Sequence, residues 1–415
     1  MSLWLFFGDQ ETISRFHLHP LGKYLDDYAK WLHDRGYCWE AARAKIRNVA
    51  RLSPWLKRHG IAAKDLRWDH IQDYLQMKPR KSPPFNRQDT ANLKQFLRYL
   101  QAQGVVSKPV AAESTPIEKM VAEYRVYLLK ERALSEETTA QYCRHVNRFL
   151  LESFPRVRPD LSTLRSVSVT SHIQNFAATM SKKDAQLMCC ALRSFLRYAR
   201  YQGYIEADLQ ASVPAVANWT LASIPKALSA EVAEKVLASC DRRTPIGRRD
   251  YAVLLLLSRL GLRAGEIVRL ELDDLDWRAG TISIHGKGSN LSQMPLPPDV
   301  GQPIVEYLQH GRPKCSTRRV FICRTAPIRG FARSAVVSNI VARAFRRAGL
   351  DDSATRKGSH LFRHTLATGL LRTGASLPEI AEVLRHRSTA CVTIYAKVDL
   401  QSLRSLALAW PGGAQ

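Results

Sequence analysis

The feature that most restricts how this chain can fold is a repeat within it. Asn92-Leu-Lys-Gln-Phe-Leu-Arg-Tyr-Leu-Gln-Ala-Gln-Gly104 resembles Ala191-Leu-Arg-Ser-Phe-Leu-Arg-Tyr-Ala-Arg-Tyr-Gln-Gly203, with eight of the thirteen positions identical or exchanging Lys for Arg. Upstream, Asp27-Tyr-Ala-Lys-Trp-Leu32 matches Glu123-Tyr-Arg-Val-Tyr-Leu128 at nearly the same offset. Two successive copies of one small helical domain account for such spacing. In the second copy Tyr142, Val146, Phe149 and Leu150 recur at three and four residues, as on one buried helix face, and leave Arg144, His145 and Arg148 largely outside it. Gly104 and Gly203 stand where glycines end helices. Proline-containing stretches at 107–116 and 214–225 read as linkers, which divides the chain into 1–113, 114–224 and 225–415.

Beyond residue 225 the texture changes. Helical spacing is expected around 230–239 and 249–259, then at 300–310, 335–348, 360–373 and 378–386. Between these lie an alternating run at 281–285, the Gly-rich turn Gly286-Lys-Gly-Ser-Asn290 and a second run at 291–296, which together predict a β-hairpin with Lys287 near its tip. The expected class is therefore mainly α with a small β-sheet (α+β), not a doubly wound nucleotide fold.

Charge narrows the partner. Sixty-two Lys and Arg against 37 Asp and Glu give a net +25, and such a surface favours a polyanion because neutralising phosphates releases counterions. The excess is spread as +8, +4 and +13 over the three segments, so no basic tail explains it. Eight cysteines form no C-x-x-C pair and no cluster with histidines at zinc-ligand spacing, which predicts reduced core thiols in a cytoplasmic protein. The opening apolar run lacks a basic flank, and no stretch of about 18 apolar residues occurs, so neither a signal peptide nor a membrane span is expected.

Three short motifs carry the chemistry, each weak alone. Gly261-Leu-Arg-Ala-Gly-Glu-Ile267 places Arg263 at a helix junction; Ser359-His-Leu-Phe-Arg-His364 puts His360 and Arg363 on one helix face, with His364 readable as a packed core histidine; and Leu384-Arg-His386 precedes Tyr395 by nine positions from His386. In this order and spacing the motifs resemble those of the tyrosine recombinase (phage integrase) family. The resemblance is strong over 225–410, looser over 114–210 as that family's helical core-binding domain, and implies two SAM-like helical domains before a catalytic domain. It implies that Arg263, Lys287, His360, Arg363, His386 and Tyr395 are the catalytic set, with Glu266 orienting Arg263 or a histidine. It further implies double-stranded DNA as partner, a homotetramer assembled on it, accessory recombinases as further partners, no metal or nucleotide cofactor, and work at the bacterial nucleoid. Two departures stand out: Arg385 replaces the usual glycine before His386, and Ala396-Lys397 follows Tyr395 where a histidine often lies two residues on. They leave cis or trans delivery of the tyrosine open.

The residue types suit the reaction independently. A phenol of pKa near 10 attacks a phosphodiester only if its proton is taken and the charge developing on phosphorus is neutralised. Two guanidinium forks suit the second task; His360 could relay the tyrosine proton, His386 could donate to a non-bridging oxygen, and Lys287 could protonate the leaving 5′-oxygen, although Gly-Lys-Gly also suits an ordinary turn. The alternatives are a type IB topoisomerase, which shares this chemistry; a metal-dependent nuclease or transposase using Asp273, Asp274 and Asp276; and a DNA-binding protein without catalysis. Residues 1–113 are expected to bind separate DNA sites, and the apolar residues of 400–410 to dock on a neighbouring protomer or in their own core.

Overall fold

The computed structural model describes residues 2–77, 86–107, 115–155, 159–216, 227–286, 291–350, 358–386 and 392–396. The boundaries expected at 113 and 224, Lys287 with the rest of its turn, and the segment 400–410 lie outside these residues.

The first helical copy follows a short leading helix, α1 (Gln10–His17), and consists of α2 (Leu25–Asp34), α3 (Trp39–Arg58), a 3-10 turn at Ala63–Asp65, α4 (Trp68–Gln76) and α5 (Arg87–Ala102). The second repeats this order: α6 (Pro116–Lys130), α7 (Glu136–Ser153), a 3-10 turn at Leu161–Thr163, α8 (Ser166–Ala177) and α9 (Lys182–Tyr201). Local sequence sets the starts. Asn86 accepts from the Gln88 and Asp89 amides at the head of α5, and Thr115 and Glu118 close a reciprocal capping box on α6. Gly104 and Gly203 end α5 and α9 with φ of 72° and 73°, a region in which a Cβ would be strained.

Each copy has its own apolar core. The repeat extends to ring geometry: Tyr28 stands edge-on to Phe96 at 4.9 Å, and Tyr124 edge-on to Phe195 at 5.3 Å. Trp31 stacks on Tyr28, and Tyr127 on Tyr124, both at an interplanar angle of 22°. Such pairs contribute roughly 0.5–1.5 kcal/mol beyond their buried area, so the same three rings specify the same helix packing twice. A second sequence echo becomes visible on α4 and α8, where His70-Ile-Gln-Asp-Tyr74 parallels His172-Ile-Gln-Asn-Phe176.

The third region comprises α10 (Ala230–Ala238), α11 (Pro245–Ser258), α12 (Ala264–Arg269), strands β1 (Leu275–Asp276), β2 (Thr281–His285) and β3 (Leu291–Pro295), then α13 (Pro298–His310), α14 (Ala335–Arg347), α15 (Ser359–Arg372), α16 (Leu377–Val383) and α17 (Thr393–Ala396). The strands form an antiparallel sheet in the order β1-β2-β3, with Ile282 opposite Met294 and His285 opposite Leu291. α11 starts four residues earlier than its spacing suggests, because Thr244 caps it and Pro245 occupies its first turn. Its run Ala252–Leu257 is wholly buried and centres the main core, each leucine worth roughly 1.5–3 kcal/mol of burial. A smaller cluster of Ala367, Ile380, Ala381, Leu384, Val392 and Tyr395 ties α15, α16 and α17 together.

Residues 107–216 are compact on their own, whereas the first copy and the third region belong to one unit, in which the Ile328 amide donates to the Arg35 carbonyl at 3.1 Å. No helix among the described residues is long and apolar enough to cross a membrane. The reading of the cysteines as core thiols needs correction. Of the seven described, all free, only Cys189 and Cys240 are buried; Cys38 is exposed at the extended residue that precedes α3, and Cys190 on an outward-facing position of α9.

Candidate active site

Four chain segments meet at the site. Arg263 precedes α12, where its amide donates to Glu266 Oε2 and its Nη1 to Glu266 Oε1, both at 2.8 Å. The carboxylate that starts the helix thus also aims the guanidinium. Glu266 is only 4% exposed. Burial alone would raise its pKa, but the Arg263 amide and guanidinium and the Arg385 charge outweigh that and hold it below the ordinary carboxylate value.

Arg363 projects from α15 and is 3% exposed; its fork donates to the carbonyls of Gly261 and Leu384. These bonds pin the turn before α12 to the end of α16 across long stretches of sequence. Gly261 permits it twice over: its φ is +59°, and an added Cβ would meet Leu366 and Leu384 at 2.9 Å. Burial first, then the neighbouring Arg263 and Arg385 charges, push the Arg363 pKa down to about 10, which leaves it charged at neutral pH.

Arg385 acquires a physical reason. The Arg385 amide donates to Glu382 and the His386 amide to Ala381, both at 2.8 Å, closing α16 with a Schellman turn. Arg385 occupies its left-handed position at φ +53°, where glycine is the residue without penalty. What offsets the penalty is the guanidinium, which is 11% exposed and reaches Glu266 Oε2 at 3.2 Å and Met294 Sδ of β3 at 2.9 Å. Arg385 therefore ties the tyrosine segment, the Arg263–Glu266 pair and the hairpin to one another.

His386 and His364 complete the polar lining. Burial, followed by the charges of Arg363, Arg263 and Arg385, pushes the His386 pKa down to about 4, so the ring is neutral at pH 7. Its Nε2 and the Nε of Arg385 are buried without a hydrogen-bond partner among the described residues, which is costly unless a ligand supplies one. His364 is likewise held below its ordinary pKa by burial and then by His360 and Arg363. Its Nδ1 lies 2.8 Å from Tyr395 Oη, so a neutral His364 protonated on Nε2 accepts the phenol proton. Tyr395 itself, on α17, is 2% exposed. Burial raises its pKa against the lowering by Arg363 and Arg263, which keeps the hydroxyl protonated at rest.

Five of the six residues expected from sequence are described: Arg263, Arg363, His386 and Tyr395 converge, and His360 lies exposed on the same helix one turn before His364. The sequence reading missed the His364 contact, and it singled out Arg385 as a departure without placing it in the catalytic set. His364, not His360, touches the tyrosine oxygen, and Arg385 is part of the cluster; the signal for Arg385 was an arginine where a helix-ending glycine is usual. With neutral histidines, three guanidiniums against one carboxylate leave a net +2 (3 − 1), a charge balance that suits an anion. The carboxylates of the metal alternative are occupied elsewhere: Asp273 pairs with Arg318, Asp274 with His285, and Asp276 accepts the Arg278 and Ala279 amides. No cluster of metal-binding side chains occurs among the described residues.

The comparisons with known proteins agree with this geometry. The model of the phage integrase family matches residues 226–402, and that of the phage integrase N-terminal SAM-like domain matches 121–203. A Sinorhizobium fredii protein provisionally named integrase/recombinase y4rA is 44% identical over 406 residues, covering 97% of this chain and 98% of its own length. Tyrosine recombinase XerD of Listeria innocua is 30% identical over 295 residues, covering 69% of this chain and 96% of its own. Among solved structures, XerH site-specific recombinase bound to its palindromic difH substrate shares the fold with a TM-score of 0.55 at 21% identity, over 75% of this chain and 93% of that one. A lambda integrase dimer bound to a core site does so with a TM-score of 0.51 at 15% identity, over 67% and 94%. The fold and the site thus define a DNA breaking and rejoining enzyme. The chain belongs to the phage integrase family of tyrosine recombinases, and its activity is site-specific recombination.

Proposed function

We propose that Tyr395 attacks the scissile phosphate within its own chain's site. Its oxygen bonds to phosphorus, the phosphorus–5′-oxygen bond breaks, and a 3′-phosphotyrosyl ester and a free 5′-hydroxyl result. The observation that carries this reading is the Tyr395 hydroxyl seated on His364 of the same chain, inside a cluster with two uncompensated positive charges. His364 takes the phenol proton, with His360 one turn away relaying it to solvent. Arg263 and Arg363 neutralise the non-bridging oxygens, His386 donates to one of them, and Lys287 protonates the leaving oxygen. One phosphate ester replaces another of similar energy, so rejoining runs the same steps backward. Residues 114–224 and 225–415 each contact duplex DNA. Four protomers meet on two sites, an arrangement supported by the structure of a lambda integrase tetramer on a Holliday junction. Integration, excision or transposition at bacterial DNA is the biological setting, with accessory recombinases as partners in the synapse.

Covalent trapping tests this. Wild-type protein and Tyr395→Phe are incubated with nicked DNA from the flanks of the gene, without divalent metal, and separated in SDS. An adduct formed by wild type and absent from the variant is expected. Cleavage that needs magnesium and leaves no adduct would overturn the proposal.

A further inference from the structure

The support of the hairpin changes along its length. Ile282 and Ile284 of β2 are buried in the main core, but in the last ladder pair before the turn, His285 with Leu291, both residues are exposed, Leu291 at 63%. Apolar burial therefore fixes β2 as far as Ile284 and leaves its outgoing end unsupported. Polar contacts take over there. The His285 carbonyl accepts from Arg269 Nη2 at 3.0 Å, and the His285 ring Nε2 lies 2.8 Å from Asp274 Oδ1.

Both partners are themselves placed. Arg269 is the last residue of α12, the helix that Arg263 and Glu266 start, and its guanidinium folds back over Gly265 of the first turn, 3.5 Å from where a Cβ would stand. The Asp274 side chain is 10% exposed, and its other oxygen accepts the Glu271 amide at 2.8 Å. The site thus reaches the hairpin twice, through Arg385 to Met294 on β3 and through α12 and Arg269 to His285 on β2. Lys287 follows His285 by two positions, a stretch of chain no longer than about 7 Å. A misplacement of about 1 Å at a reacting group can slow a reaction by about 10²-fold.

We propose that Arg269 and Asp274 are positioning residues for the leaving-group step: they fix the end of β2 at His285, and through it the lysine that gives its proton to the 5′-oxygen. The inference rests on the reading of Lys287, which lies outside the described residues, as that proton donor. In the step, the Tyr395 oxygen bonds to phosphorus, the phosphorus–5′-oxygen bond breaks, and the Lys287 proton goes to the departing oxygen.

The test replaces the bridging 5′-oxygen of the nicked duplex by sulfur. The phosphorus–sulfur bond then breaks to a thiolate, which departs with the electron pair and without a proton, its parent thiol having a pKa of only about 8.5. Adduct formation by the full chain at saturating DNA is timed on both duplexes for wild type, Arg269→Met, Arg269→Lys, Asp274→Ala and Lys287→Ala. On oxygen, Arg269→Met and Asp274→Ala should each be slower than wild type by about 10-fold to 100-fold, and Arg269→Lys, which still donates to the carbonyl, should be slowed less. On sulfur, where no general acid is needed, both should come within about threefold of wild type, as should Lys287→Ala. Recovery on sulfur also shows that each variant is folded, because the same preparation must still attack phosphorus through Tyr395. Asp274→Ala reaches His285 from the other side, so the outcome does not hang on one substitution. Equal slowing on oxygen and sulfur while Lys287→Ala recovers, or wild-type rates on oxygen, would overturn the proposal. Failure of Lys287→Ala to recover on sulfur would instead remove Lys287 as the proton donor and take the proposal with it, a result that this variant alone identifies.

Discussion

In the first helical copy Arg47, Arg51 and Arg98 stand in solvent, while in the catalytic region Arg363 and Arg385 are almost wholly enclosed. The same side chain is thus used in two ways. An exposed guanidinium attracts phosphate through a solvent-screened field, contributes little singly and loses it to salt. An enclosed one has its orientation set by backbone carbonyls and acts in a low dielectric, at the cost of shifted pKa values and polar atoms left unpaired. Long-range grip and local chemistry are separated in this chain by burial more than by residue type.

That contrast can be broken. The largest effect is expected from Arg363→Lys, which keeps a charge but loses the fork that holds the Gly261 and Leu384 carbonyls. Adduct formation should slow by about 10³-fold, and stability should fall by roughly 2–3 kcal/mol as buried carbonyls lose a donor. A rate within about tenfold of wild type would show that enclosure is not what makes this arginine effective.

Next comes Arg385→Gly. Glycine removes a left-handed penalty of about 1 kcal/mol but also the guanidinium on Glu266 and Met294. Adduct formation should slow by about 10-fold to 30-fold at saturating DNA while the melting temperature stays within a few degrees of wild type, and Arg385→Lys should recover part of the rate. Equal loss of rate and stability would make Arg385 a packing residue only.

Protonation sharpens the picture. The His386 ring has a folded pKa of about 4 against an ordinary 6.5, so between those values the unfolded chain binds more protons than the folded one. Stability should therefore decline as pH falls from about 6.5 to about 4, and His386→Gln should flatten that part of the curve in chemical denaturation. His364, also held low, should keep its acceptor nitrogen available below pH 6.5, so the adduct rate should reach half its plateau below that pH; a midpoint above it would point to another proton acceptor. The smallest effect is expected from Arg98→Gln, which should lower the slope of log affinity for duplex DNA against log salt by about 0.9 and leave the adduct rate at saturating DNA unchanged.

Much of the fold was legible beforehand because the determinants are local. Strand β2 spans the residues expected of it, the helices of the third region fall within a few residues of their spacing, and the repeat in α5 and α9 announced two helical copies. The parallel between His70–Tyr74 and His172–Phe176 was missed because the two helices differ in length and shift its offset. At the site, the order of Arg263, Arg363, His386 and Tyr395 was readable as a pattern, whereas the pairing of histidine with tyrosine was not. Both His360 and His364 lie on α15, and which of them faces Tyr395 depends on how α15 and α17 pack.

The amino-acid sequence by itself determined the helical repeat, the hairpin, the basic balance and the identity of the groups available for phosphoryl transfer, since periodicity, turn chemistry and charge are properties of short segments. Only the tertiary structure decided that Arg363 would be aimed by a carbonyl 102 residues away and that Arg385 would reach a carboxylate 119 residues away. Those contacts exist because a left-handed turn after α16 and the left-handed Gly261 bring distant backbone together, and no local pattern encodes which partners such turns will meet.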